Sequence, residues 1–134
     1  MSSAKELKVV FGDNYRIDVD YKGFVVKTDQ PVRDGGDGTA PSPFDYFLVS
    51  LAACAGFYAL AFCRERKIPV EGLGVTMSPE RGEVSKMIDK VTISLDLPPH
   101  FPEKYKVALV KAVDHCTVKA HILRAPQFEI VTRP

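Results

Sequence analysis

Hydrophobic positions change their spacing along the chain, and the changes mark out the elements. Leu7, Val9 and Phe11 alternate with more polar neighbours, and after Gly12-Asp13-Asn14 the alternation resumes at Tyr15, Ile17, Val19 and Tyr21, with Arg16, Asp18 and Asp20 between them. Period-two alternation interrupted by turn residues predicts two strands of a meander. Lys22-Gly23 predicts a tight turn into a third strand from Phe24 to Lys27. Residues 29–42, DQPVRDGGDGTAPS, combine charges, glycines and prolines without periodicity and predict a loop. A loop leading into a buried reactive helix commonly shapes the mouth of a pocket.

From Ser42 to Lys67 the period becomes helical. Phe44, Phe47, Leu48, Leu51, Ala55, Tyr58, Ala59 and Phe62 recur at three- and four-residue spacing. Ser42 suits an N-cap, Pro43 the first turn, and Asp45 three residues after Ser42 completes a capping-box pattern. Arg64, Arg66 and Lys67 complement the helix dipole at the far end, and Pro69 disfavours continuation. The remaining faces, with Val49, Ala52, Ala53, Leu60 and Ala61, are hardly polar either. A helix apolar all round belongs in a core or in a membrane. Its alanines and glycine keep it only mildly hydrophobic, and its flanks read as strands, so the expectation is a core helix wrapped by sheet.

Beyond Pro69, Leu73, Val75 and Met77 predict a strand, Glu80-Arg81-Gly82 a turn, and Val91, Ile93, Leu95 and Leu97 a second strand, together a long hairpin with one buried face. Pro98 to Pro102 ends it and opens a second helix, in which Tyr105, Ala108, Leu109, Ala112, Val113 and Cys116 share the inner face. Thr117 is expected to cap a short further helix to Leu123, and Phe128 to Thr132 to form a last strand. The order of strands, helix, strands, helix and strand predicts an α+β fold in a single domain, 1–134.

Composition narrows the function classes. A formal net charge of +1, with Lys and Arg dispersed, gives no electrostatic case for nucleic acid or an acidic membrane surface. MSSAKELKVV has no apolar signal region, so the expected compartment is the cytoplasm. A helix apolar on every side in so short a chain needs more cover than its own strands and second helix offer, which predicts a homodimer.

The chain has three cysteines, an odd number at wide spacing that fits neither a disulfide framework nor a zinc motif. His100 and His121 have no matching ligand partners, so no metal is expected, and His115 reads as a helix-surface residue. Cys54 lies seven residues after Phe47 and shares its helical angle, whereas Cys63 falls about half a turn away and reads as a small core residue. Cys54 and Cys116 therefore lie on the apolar faces of two helices that must share a core. They are the constellation with chemical content: a stabilised thiolate is a nucleophile, and a second thiol within reach resolves the resulting sulfenic acid as a disulfide.

The run PSPFDYFLVSLAAC, followed some sixty residues later by HCTVKAHIL, resembles the OsmC/Ohr family of osmotically inducible and organic hydroperoxide resistance proteins, and the likeness covers essentially the whole chain. It implies an OsmC-like fold, two central helices wrapped by antiparallel sheets in an intertwined homodimer. It further implies that Cys54 is the peroxidatic cysteine and Cys116 the resolving one. The well-understood branch pairs the reactive cysteine with Arg and Glu. Here the acid nearest that position is Asp45, one residue displaced and equally explained as a helix cap. The arginine is Arg16 by rough alignment, or Arg33 in the Gly-rich loop.

The expected activity is that of a thiol peroxidase reducing organic hydroperoxides, reset by an external thiol or dithiol and needing no bound cofactor. Phe44, Phe47 and Tyr58 are expected to supply an apolar substrate pocket. The alternative is a dimer of the same fold that binds small molecules without peroxidase activity, and the displaced acid favours it.

Overall fold

The computed structural model describes residues 6–134. Its contacts divide the chain into two compact units, one up to Val49 and one from Ser50. The first unit is a three-stranded antiparallel sheet, β1 (Lys8–Phe11), β2 (Ile17–Tyr21) and β3 (Phe24–Thr28), paired in sequence order with Val9 opposite Val19 and Val19 opposite Val26. Lys22 and Gly23 both take positive φ, 51° and 81°, as a two-residue hairpin turn of the right twist requires. β1 is exposed along its whole length and β3 at all but its last residue.

A buried carboxylate organises the loop after β3. Asp29, with no exposed surface, accepts hydrogen bonds from the Thr39 hydroxyl at 2.6 Å, the Thr39 N–H at 3.0 Å and the Gln30 N–H at 2.7 Å. The loop folds back so closely that a Cβ on Gly36 would lie 2.0 Å from the Gln30 carbonyl oxygen, so only glycine fits there.

Helix α1 (Pro43–Glu65) begins with the expected box: Ser42 Oγ accepts from the Asp45 N–H at 3.1 Å, and Asp45 Oδ2 accepts from the Ser42 N–H at 2.9 Å. It ends in a Schellman-type closure. Lys67 turns left-handed at φ 56°, its N–H reaches the Arg64 carbonyl, and the Ile68 N–H reaches the Cys63 carbonyl. By length and composition α1 would suffice to cross a membrane. It instead buries one stripe, Leu51, Ala55, Ala59, Phe62 and Cys63, in a protein core.

That core belongs to the second unit. Ala55, Ala59, Phe62, Cys63, Ile68, Phe101, Leu109 and Val113 form one buried cluster, with Leu73 packed on it and Val75, Ile93 and Leu95 added from the hairpin β4 (Gly74–Arg81) and β5 (Ile88–Asp96). The hairpin has the expected buried face, with Val75 opposite Leu95 and Met77 opposite Ile93. β4 runs longer than expected, through Pro79 to Arg81. A two-stranded sheet leaves each strand one free edge, where a missing N–H costs little.

Two expectations need correction. The second helix, α2 (Lys106–Asp114), stops before Cys116. That residue has extended backbone, ψ 130°, and is itself the N-cap of α3 (Thr117–Leu123), so Thr117 is the first residue of α3 and not its cap. Residues 128–132 form no strand, because alternation marks a face but a strand also needs a neighbour to pair with, and these residues have none among the described residues. Phe128 and Ile130 are 86% and 96% exposed.

The Asp29 bonds hold its carboxyl well below the usual range, from 3.8 to about 2, with the Thr39 hydroxyl the largest contributor. A depressed folded value means that the stabilisation is fully present above pH 3.8 and is lost as pH falls toward about 2. Thermal unfolding between pH 5 and pH 2 should show this acid-dependent loss in the wild type, with a flatter profile in Asp29→Asn. Parallel profiles would remove Asp29 as its source.

Candidate active site

Cys54 follows directly from the buried stripe of α1: its neighbour Ala55 has no exposed surface, and Cys54 itself is half-buried at the border of the core. The break between α2 and α3 brings Cys116 to it, 3% exposed, and the two free thiols are in hydrogen-bond contact. The Thr117 and Val118 N–H groups, in the first turn of α3, also donate to the Cys54 sulfur. Tyr58, one helical turn beyond Cys54, joins its hydroxyl to Thr117 Oγ1 at 2.7 Å.

The contacts polarise the pair. Burial pushes the Cys54 thiol up, but the Cys116 thiol and the two amides stabilise its thiolate more, and the net effect is a lowered pKa. Burial and the contact with Cys54 both raise Cys116, so of the two thiols Cys54 is the first to lose its proton. Cys63 is also fully buried, gains only the more modest help of the Arg66 charge, and is raised. The arrangement favours a thiolate on Cys54 over one on Cys116. Beside it an apolar cavity of about 550 Å³ is lined by Leu51, Ile93, Leu95, Leu109, Val113 and Cys116, among others.

The other predicted site residues, Tyr58 apart, belong to the unit ending at Val49. Phe44 and Phe47 stack on one another with centroids 5.5 Å apart, and Asp45 is engaged in the N-terminal box of α1. Arg16 faces two carboxylates, Asp37 at 3.4 Å and Asp29 at 4.0 Å. Arg33 lies beside Asp34 at 3.8 Å and is strongly exposed. Tyr58 donates or accepts at Thr117, a tie that an assignment to the substrate pocket did not anticipate. Sequence reasoning also missed the two α3 amides, because a backbone donor carries no residue signature. Their sequence signal is a cysteine directly before Thr117 where one helical stretch gives way to another. Among the described residues no group of His, Cys, Asp and Glu could hold a metal ion.

A family model for OsmC-like proteins matches residues 36–131. No curated protein matches the chain. Among solved structures, a candidate osmotic-stress-induced and detoxification response protein from Psychrobacter arcticus is 20% identical with a TM-score of 0.73, over 90% of this chain and 89% of that one. An organic hydroperoxide resistance protein from Legionella pneumophila is 19% identical with a TM-score of 0.58, over 90% and 89%. A candidate organic hydroperoxide resistance protein from Vibrio cholerae, with captopril in one of its active sites, is 21% identical with a TM-score of 0.53, over 90% and 87%. At these identities the likeness is one of fold, α+β with antiparallel sheets.

The polarised pair predicts an order of reaction with iodoacetamide. Cys54, with its thiolate retained to lower pH, should be alkylated before Cys116 and Cys63 at neutral pH, and its labelling should fall as pH drops through its own depressed value. Peptide mass spectrometry of the singly labelled protein reads the order, and first labelling at Cys116 would contradict the assignment.

Proposed function

The chain belongs to the OsmC-like protein family, and from that premise we propose that it is a cysteine-based peroxidase reducing organic hydroperoxides. The observation that carries this reading is the hydrogen-bonded thiol pair, with Cys54 pushed toward thiolate and Cys116 held as thiol. The Cys54 thiolate attacks the terminal oxygen of the hydroperoxide: a sulfur–oxygen bond forms, the oxygen–oxygen bond breaks, and the leaving alkoxide takes a proton from water to depart as alcohol. Cys54 is left as sulfenic acid. Cys116 sulfur then attacks the Cys54 sulfur, its proton leaves with the hydroxyl as water, and a disulfide forms. An external dithiol reduces that bond through a mixed disulfide and is itself oxidised. The apolar cavity beside the pair suits an organic group on the peroxide.

The working unit in this proposal is a homodimer. Apolar side chains on α1 away from its buried stripe, such as Phe57 at 62% exposure, would be covered by a second copy. So would Phe11 and Phe24 on β1 and β3, and residues 128–132 would find a strand to pair with. Asp45 in its capping box and Arg16 between two carboxylates favour a second reading, a binding protein of this fold without turnover.

Consumption of an organic hydroperoxide with a dithiol reductant separates the two. Wild type and Cys63→Ala should turn over at rates within a few-fold, and Cys54→Ser should fall to the uncatalysed rate. Stoichiometric peroxide should leave a 54–116 disulfide that dithiol reverses. Cysteine-independent consumption, or sulfonic acid on Cys54 without that linkage, would favour the binding protein.

Sedimentation at micromolar concentration should give twice the chain mass of 14.8 kDa. A stable monomer would sink the dimer.

A further inference from the structure

The amides that face Cys54 come from a helix with little hold of its own. α3 has seven residues, too short to be stable in isolation, and its N-cap, Cys116, makes no side-chain capping bond. Yet two N–H groups of its first turn must stay aimed at a sulfur on α1 for the thiolate to be supported. The ion pair between Lys119 and Asp114 ties α3 to the end of α2, and the His121 ring bonds to Thr117 O within α3. Neither contact reaches α1. Tyr58 does. It follows Cys54 by four residues, so it rises from the same face of a 23-residue helix, and its ring is set edge-on against Phe57 with centroids 5.4 Å apart.

We propose that Tyr58 is a positioning residue: its hydroxyl, 2.7 Å from Thr117 Oγ1, holds the first turn of α3 against the Cys54 face of α1. The tie acts on the nucleophile through Thr117, whose own N–H is one of the two donors and whose neighbour Val118 supplies the other. Loosening it lets the amides drift from the sulfur. Charge-assisted hydrogen bonds weaken steeply with distance and angle, so the thiolate then loses part of what offsets the burial that opposes it.

This inference rests on Cys54 being the reactive thiol, but its readout is the protonation of Cys54 and not turnover. The pH profile of iodoacetamide alkylation at Cys54, followed by peptide mass spectrometry in a Cys63→Ala background, gives the midpoint directly. Tyr58→Phe should raise that midpoint by roughly 0.5 to 1 pH unit, the size of one net hydrogen bond. Thr117→Val should raise it as much, Thr117→Ser should restore the wild-type profile, and the Tyr58→Phe/Thr117→Val double variant should move no further than either single one. An unchanged midpoint in a folded Tyr58→Phe variant would overturn the proposal. So would a Thr117→Ser shift equal to that of Thr117→Val, since the hydroxyl would then be irrelevant. If Tyr58→Phe fails to give a cooperative thermal transition, the Thr117 pair carries the same test. A protein with no peroxidase turnover but with these shifts would retain Tyr58 as the positioning residue while losing the proposed reaction.

Discussion

The second unit depends on the register of one helical stripe. Leu51, Ala55, Ala59, Phe62 and Cys63 are the part of α1 taken out of water, and everything chemical is placed relative to that line. Alanine at two of these positions puts backbone, and not a bulky side chain, at the centre of the buried cluster that also holds Leu109 and Val113. Cys54 stands one residue before Ala55. It is thereby carried to the margin of the core, partly desolvated yet not sealed in, the setting in which a thiol can react with a molecule from solution. A shift of one residue would either bury that thiol or turn it to another face.

Position at the margin has a cost, since taking a thiolate out of water disfavours it. Cys63 measures that cost within the same helix: fully buried, with only a partial offset from the Arg66 charge, it is pushed up. Cys54 departs in the opposite direction because three donors converge on it, the Cys116 S–H and the N–H groups of Thr117 and Val118. The same hydrogen bond that lowers one thiol raises the other, so the two titrate as a pair that sheds its first proton mainly from Cys54. The environment of the pair in this way makes Cys54 the more acidic of the two thiols.

Much of this was legible in the sequence, and what was not has definite causes. The strands of the first sheet, the box at Ser42 and Asp45, the span of α1 and the hairpin after Pro69 are all local statements, settled by period, cap and turn within a few residues. The contact between Cys54 and Cys116 was not local. Helical spacing placed each on an inward face, and the family resemblance, rather than the pattern, put them together. The break before Cys116 escaped because Tyr105, Leu109, Val113 and Cys116 keep helical spacing even though the backbone turns extended between α2 and α3. The strand expected at Phe128 to Thr132 failed for the complementary reason: its alternation is real, but pairing is a property of two segments.

The charged residues of the first unit are engaged within that unit. Asp45 closes the N-terminal turn of α1, and the Arg16 guanidinium lies between Asp29 and Asp37. Each has a structural partner, and the Arg16 charge is balanced by carboxylates. Backbone amides differ from both in physical character. They carry no ionisable proton, and mobile ions screen a desolvated hydrogen bond far less than an exposed charge pair. A thiolate held by the Cys116 thiol and by two amides therefore follows the geometry of the short helix that bears those amides more closely than ionic strength. The weight of the site then falls on whatever fixes that helix, and the side-chain bond that joins it to α1 here is the one from Tyr58 to Thr117.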